Sequence, residues 1–182
     1  MNNFFFIVLL SISLGATAQS FTEQTGGDNP LNGFDVGSES DPSFADLDGD
    51  GDLDMISGEN DGDFNYYENT GTALAPVFTQ RTGGANPMNG ENNGDDNKME
   101  LVDIDNDGDF DLFHGGDNGK MYYYENTGTT LSPTFTARTG GSNPFNGVDI
   151  GDDSNPSFAD IDNDGDLDLC LGEDDGTMYY YE

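Results

Sequence analysis

The chain has 182 residues, of which 37 are acidic and 4 basic, for a formal charge of −33. That balance excludes nucleic acid and anionic membrane surfaces as partners, because both need a basic contact face. One cysteine, Cys170, excludes an intrachain disulfide framework.

Taken in chain order, residues 1–18 read as a secretory signal. An apolar core starts at Phe4-Phe5-Phe6-Ile7-Val8-Leu9-Leu10 and runs to about Leu14. Ala16-Thr17-Ala18 then forms an A-x-A cleavage pattern. The run is shorter than the ~20 residues that a membrane span needs. The expected location is secreted, extracellular or cell surface, with residues 19–182 as the exported part.

From Phe21 onward the chain repeats. Asp46, Asp103 and Asp160 are 57 residues apart, as are Tyr67, Tyr124 and Tyr181, and Phe21, Phe78 and Phe135. No insertion breaks the register. The units are about 21–77, 78–134 and 135–182. Constant-period repeats of this length indicate stacked supersecondary units.

Each unit reads as four short strands. In the middle unit these are Phe78–Thr82, Met99–Val102, Phe110–His114 and Lys120–Glu125. A Gly/Asn/Pro-rich connection from Gly83 to Asn97 follows the first strand. A tight turn with Asn118-Gly119 joins the last two. The equivalent opening strand of the first unit is Phe21–Thr25. The expected fold is therefore all-β, with propeller blades built from three four-stranded repeats. The tyrosine runs at Tyr66-Tyr67, Tyr122–Tyr124 and Tyr179–Tyr181 should alternate between sheet faces, one set packing between blades and the other more exposed. Cys170, in the apolar run Leu167–Leu171, is expected to be a buried structural thiol.

Between the second and third strands of each unit lies D-x-D-x-D-G-D-x-D. The candidate metal ligands are Asp46, Asp48, Asp50, Asp52 and Asp54; Asp103, Asp105, Asp107, Asp109 and Asp111; and Asp160, Asp162, Asp164, Asp166 and Asp168. Two carboxylates ~4 Å apart repel by about 4 kcal/mol at an effective dielectric of ~20, so the loop requires a cation. A hard all-oxygen set suits Ca²⁺, which takes 6–8 oxygens flexibly, better than Mg²⁺. Positions 1, 3 and 5 would offer side chains, position 7 its backbone carbonyl, and position 9 would complete the shell. Glycine at position 6 permits the sharp turn. An EF-hand is rejected: it needs a bidentate Glu at position 12, where Ser57, His114 and Leu171 stand.

The block Pro42-Ser43-Phe44-Ala45 followed by Asp46–Asp54, Gly58 and Tyr66-Tyr67-Glu68-Asn69-Thr70-Gly71 resembles an FG-GAP or VCBS-type repeat. Integrin α-subunit propellers carry related loops. The resemblance covers essentially all of residues 19–182. It implies a calcium-binding propeller, about three Ca²⁺ (one per repeat) at the fifteen aspartates above, and extracellular adhesion or recognition rather than chemistry. Propellers of this family usually close with about seven blades, so three units imply either missing blades in a longer chain or a homo-oligomer that shares strands.

The function expected is that of a non-catalytic recognition or adhesion module with structural calcium, whose partner is an extracellular protein or a carbohydrate. The alternative is a calcium-dependent polysaccharide-acting enzyme, with Glu59, Glu173, Asp95-Asp96 or Asp152-Asp153 as carboxylate candidates, or a lectin that uses the tyrosines. His114 has no counterpart in the other units. No H-E-x-x-H, P-loop or G-x-S-x-G motif is present.

Overall fold

The structure is a computed structural model that describes residues 20–92 and 98–182. The signal segment and Asp95-Asp96 lie outside the described residues. Strands β1 (Asp41–Ala45), β2 (Asp54–Gly58), β3 (Phe64–Asn69) and β4 (Phe78–Arg81) form one antiparallel meander. Strands β5 (Lys98–Val102), β6 (Asp111–Gly115), β7 (Met121–Asn126) and β8 (Phe135–Arg138) form the second. Strands β9 (Asn155–Ala159), β10 (Asp168–Gly172) and β11 (Met178–Tyr181) form the third, which has three strands. Single-turn 3₁₀ helices at Gly26–Asp28, Gly83–Ala85 and Gly140–Ser142 open the long connections.

Strand positions agree with the sequence reading to within about one residue. Sequence units and blades are offset by one strand: Phe78–Arg81 opens its unit and pairs with β3 of the preceding meander, with Tyr66 opposite Arg81 and Asn69 opposite Phe78. The pairing is clamped by a bidentate ion pair in which Arg81 Nε and Nη2 donate to Glu68 at 2.8 and 2.7 Å. Arg138 repeats it on Glu125. The short turn after Asn69 and Asn126 leaves these strands nowhere else to go: each Asn Oδ1 accepts from two backbone N–H groups across the turn, at 2.9–3.1 Å. Phe21–Thr25, the equivalent segment, forms no ladder, because among the described residues no strand precedes it to pair with.

The three sheets stack face to face like blades. One apolar core lies between the first and second sheets and includes Ile56, Phe64, Tyr66, Met88, Leu101, Leu112 and Tyr124. A second lies between the second and third and includes Phe113, Met121, Tyr123, Phe158, Leu169 and Leu171. The second sheet is therefore covered on both faces, and every residue of β6 is buried. This corrects the tyrosine expectation. Alternation sends Tyr123 and Tyr124 to opposite faces, yet both are buried because each face has a neighbour. Tyr67 is also buried, under Phe34 at a ring distance of 4.7 Å. Only Tyr180, on the uncovered face of the third sheet, is exposed. Cys170 shares that face and is only half-buried, contrary to expectation.

The inner strands β1, β5 and β9 lie side by side. Side chains of one blade reach the free N–H groups on the edge of the next. Asp41 accepts from Met99 N, Ser43 Oγ from Leu101 N at 3.1 Å, and Glu100 Oε2 from Phe158 N at 2.9 Å. Capping an edge in this way removes unpaired donors that would be costly once buried. Where Asp41 meets Met99 in the first step, the second step has Lys98 and Pro156. Acceptor and donor disappear together.

Candidate metal centres

Each acidic loop joins the innermost strand of a blade to the second strand. Within the loop, position 1 organises the backbone. Asp46 accepts from Gly49 N at 2.7 Å and Gly51 N at 3.1 Å. Asp103 accepts from Asp107 N and Gly108 N, both at 3.1 Å. Asp160 accepts from Asp164 N at 3.1 Å and Gly165 N at 3.2 Å. Positions 3 and 5 make side-chain turns onto the backbone N–H two residues on, as in Asp107 accepting from Asp109 N at 3.1 Å. The chain turns through two left-handed residues. One is the glycine at position 6, with φ of 93°, 95° and 102°. The other, at position 4, is Gly49, Asn106 or Asn163. The sequence reading missed position 4, although Gly and Asn are the residues that tolerate this conformation.

These turns gather the carboxylates. Oxygens of Asp46, Asp48 and Asp50 lie within 4.8 Å of one another, as do those of Asp103, Asp105 and Asp107, and of Asp160, Asp162 and Asp168. Asp162 and Asp164 also meet Glu182, a residue the motif does not contain. Asp52, Asp54, Asp109, Asp111 and Asp166 stand outside these groups.

Position 9 sits at the back of each loop, buried at the start of the second strand. Asp54 accepts from Asn69 N at 2.8 Å and Leu47 N at 3.2 Å, and the Tyr66 hydroxyl bonds to it. Asp111 accepts from Asn126 N at 2.7 Å and the Tyr123 hydroxyl at 3.1 Å. Asp168 accepts from Ile161 N at 2.8 Å and the Tyr180 hydroxyl at 2.9 Å. The first tyrosine of each homologous pair is thus a positioning residue for its loop. Sequence reasoning did not see this, although Tyr66, Tyr123 and Tyr180 share the 57-residue period.

Electrostatics match a site built for a cation. Burial raises the carboxyls of Asp54 and Asp111 to about 6. Burial, then the charges and hydrogen bonding of Asp107 and the charges of Asp105 and Asp103, raises Asp109 to about 6. Asp52 Oδ1 is buried without a hydrogen-bond partner. Converging hard oxygens, open to solvent on one side and lacking a counter-charge, fit a divalent metal of the oxygen-seeking type.

Of the carboxylates considered for catalysis, Glu173 lies beside Gly151, next to Asp152-Asp153, and Glu59 stands on another blade. Glu59 and Glu173 occupy equivalent hairpins of different blades and fill the space beside Gly37 and Gly151. Glu173 also accepts from the Tyr179 hydroxyl at 3.1 Å. His114 is fully buried and stacks on Tyr122 at 4.6 Å. No helix among the described residues is long and apolar enough to cross a membrane.

No match to a curated protein is found. Residues 46–114 and 103–171 each match the FG-GAP-like repeat family. Each match runs from one acidic loop through the next, and together they take in all three loops and most of the strands around them. On that basis the chain belongs to the FG-GAP-like repeat family.

Proposed function

We propose that this protein is an exported, non-catalytic recognition module whose three acidic loops each bind one structural Ca²⁺. The observation that carries the reading is the convergence of three carboxylates in every loop. All five aspartates of each motif contribute. Positions 1, 3 and 5 present side chains, position 7 adds its carbonyl, and position 9 closes the shell from behind. The metal neutralises the loop and so fixes the hairpin between the two inner strands of a blade. Its binding energy then becomes folding energy.

Membership of a family of generally non-enzymatic, extracellular repeats supports recognition of a protein or carbohydrate outside the cell, as in adhesion. Calorimetric titration should find three calcium ions per chain. Chelator should lower the melting temperature by tens of degrees. An unchanged melting curve in chelator, or no calcium uptake at millimolar concentration, would defeat the proposal.

A further inference from the structure

We propose that the second blade carries a site for a sugar acid, a single ring bearing one carboxylate, in the cavity between the start of β7, the end of β8 and the connection that follows. This names a ligand class for the recognition role proposed above and rests on that reading.

The chain has four basic residues. Three meet a carboxylate: Arg81 meets Glu68, Arg138 meets Glu125, and Lys98 lies 3.9 Å from Glu39. Lys120 is exposed and forms no ion pair among the described residues. It lines a cavity of about 390 Å³ together with Arg138, Met121, Phe145 and Val148. Mostly apolar walls with a few polar groups are usual for small-molecule sites, and this volume is near the small end of their ~300–1,000 Å³ range.

The walls are fixed in advance. Arg138 donates to Glu125 from Nε and Nη2 at 2.7 and 2.9 Å, while its Nη1 makes no hydrogen bond among the described residues. Asn143 is fastened at both ends of its amide: Nδ2 donates to Met121 O at 3.1 Å, and Oδ1 accepts from Phe145 N at 2.9 Å. Val148 N donates to Phe145 O at 3.0 Å and folds the far wall. A site held this way loses little freedom when a ligand enters.

The equivalent cavity of the first blade keeps the frame, with Arg81, Gly83, Asn86 and Gly90, but not the lining. Asp63, Asn65 and Glu91 stand there in place of Lys120, Tyr122 and Val148. The frame folds with either lining, so folding alone does not call for the exchange. What the exchange alters is the ligand: two acids give way to a cation and an apolar side chain.

The lining then selects the class. Lys120 and the remaining Nη1 of Arg138 are donors for one carboxylate. Half-buried Phe145 and Val148 offer apolar surface to the C–H face of a ring. Exposed Thr139, Asn146 and Asp149 offer partners to ring hydroxyls. Asp149, whose Oδ1 accepts from Gly151 N at 3.2 Å, opposes a second negative charge but accepts from a hydroxyl. A sugar acid satisfies all of these; a phosphate or a fatty acid does not. At physiological salt the Debye length is about 8 Å, so the chain's distant carboxylates are screened while a contact pair is not.

Calorimetry of the whole chain with methyl β-glucuronide, in calcium and physiological salt, should find one site at millimolar concentration. Methyl β-glucoside has the same ring without the carboxylate. It should bind at least about tenfold more weakly, the effect of losing one charged hydrogen bond. Lys120→Asp and Val148→Glu each bring in the residue of the first blade and should each weaken glucuronide binding by at least that factor, with circular dichroism and calcium uptake unchanged. No glucuronide binding, equal binding of the two sugars, or binding that ignores both substitutions would overturn the inference. Calcium uptake and sensitivity to chelator test the recognition module separately: if both persist without glucuronide binding, only the sugar-acid site falls.

Discussion

Asp54 and Asn69 lie fifteen positions apart in sequence, and the carboxylate of the first accepts the backbone N–H of the second at 2.8 Å. Asp111 and Asn126 repeat the bond at 2.7 Å. Through it, the last residue of the acidic loop is tied to the turn that launches the outermost strand. The asparagine side chain then holds that turn, so each of the first two blades is fastened from its acidic loop to its outer edge by one continuous set of hydrogen bonds.

Breaking this link should be costly. Asp111→Ala strands two donors, Asn126 N–H and the Tyr123 hydroxyl, in a buried setting. A loss of about 2–4 kcal/mol is expected from urea unfolding, together with weakened calcium binding at one site of three. Tyr123→Phe removes only the hydroxyl and should cost about 1 kcal/mol. Equal effects from the two variants would contradict the positioning role.

Calcium binding should weaken in mild acid. Asp54, Asp109 and Asp111 have carboxyls raised to about 6 in the metal-free fold, against ~3.9 in the unfolded chain. In the absence of metal, their contribution to stability is full below about pH 4 and is lost as pH rises through 6. Metal must displace those protons. Affinity should therefore fall about fivefold per raised group between pH 6 and pH 5. Calorimetry in buffers of different ionisation enthalpy would count the protons released, and a pH-independent affinity would rule the idea out.

His114 should act in the opposite sense. Burial lowers its imidazole to about 4, against ~6.5 when unfolded. The unfolded chain takes up the proton first, so stability is lost as pH falls below 6.5, by about 3 kcal/mol at pH 4. His114→Leu borrows the residue found at the equivalent Leu171 and removes this term alone. The gap between variant and parent, followed by denaturation from pH 7 to pH 4, should move toward the variant by that amount. A constant gap would argue against it.

Position 4 of the first loop is the least forgiving. Gly49 has φ of 72°, and a Cβ there would lie 2.8 Å from Thr130 O and 2.6 Å from Leu131. Gly49→Ala should cost more than the ~1–2 kcal/mol of the left-handed conformation alone. Asn106→Gly, in the same conformation with no such neighbour described, should be within about 0.5 kcal/mol of neutral. Thermal melts of the two variants would compare them directly.

Much of this was legible in the amino acids. Period 57, the strand positions and the acidic loops follow from local chemistry: alternation, turn residues and crowded charge. The expectation that one set of tyrosines would be more exposed failed in the first two blades, where Tyr66, Tyr67, Tyr123 and Tyr124 are all buried, because alternation specifies two faces but not whether both are covered. The partner of Phe78–Arg81 is likewise decided outside the strand itself. A strand's own sequence states that it will pair, and the turn geometry at Asn69 decides with which neighbour.

By itself, then, the sequence determined the repeat, the all-β elements and the places where negative charge crowds, since each strand and acidic loop is written in a short segment that recurs every 57 residues. Only the tertiary structure decided that position 9 is a buried anchor shared with a tyrosine and a distant backbone N–H, and that blade edges are capped by Asp41, Ser43 and Glu100. Those relations join residues 12 to 58 positions apart, and stacking distance, which no local pattern encodes, sets them.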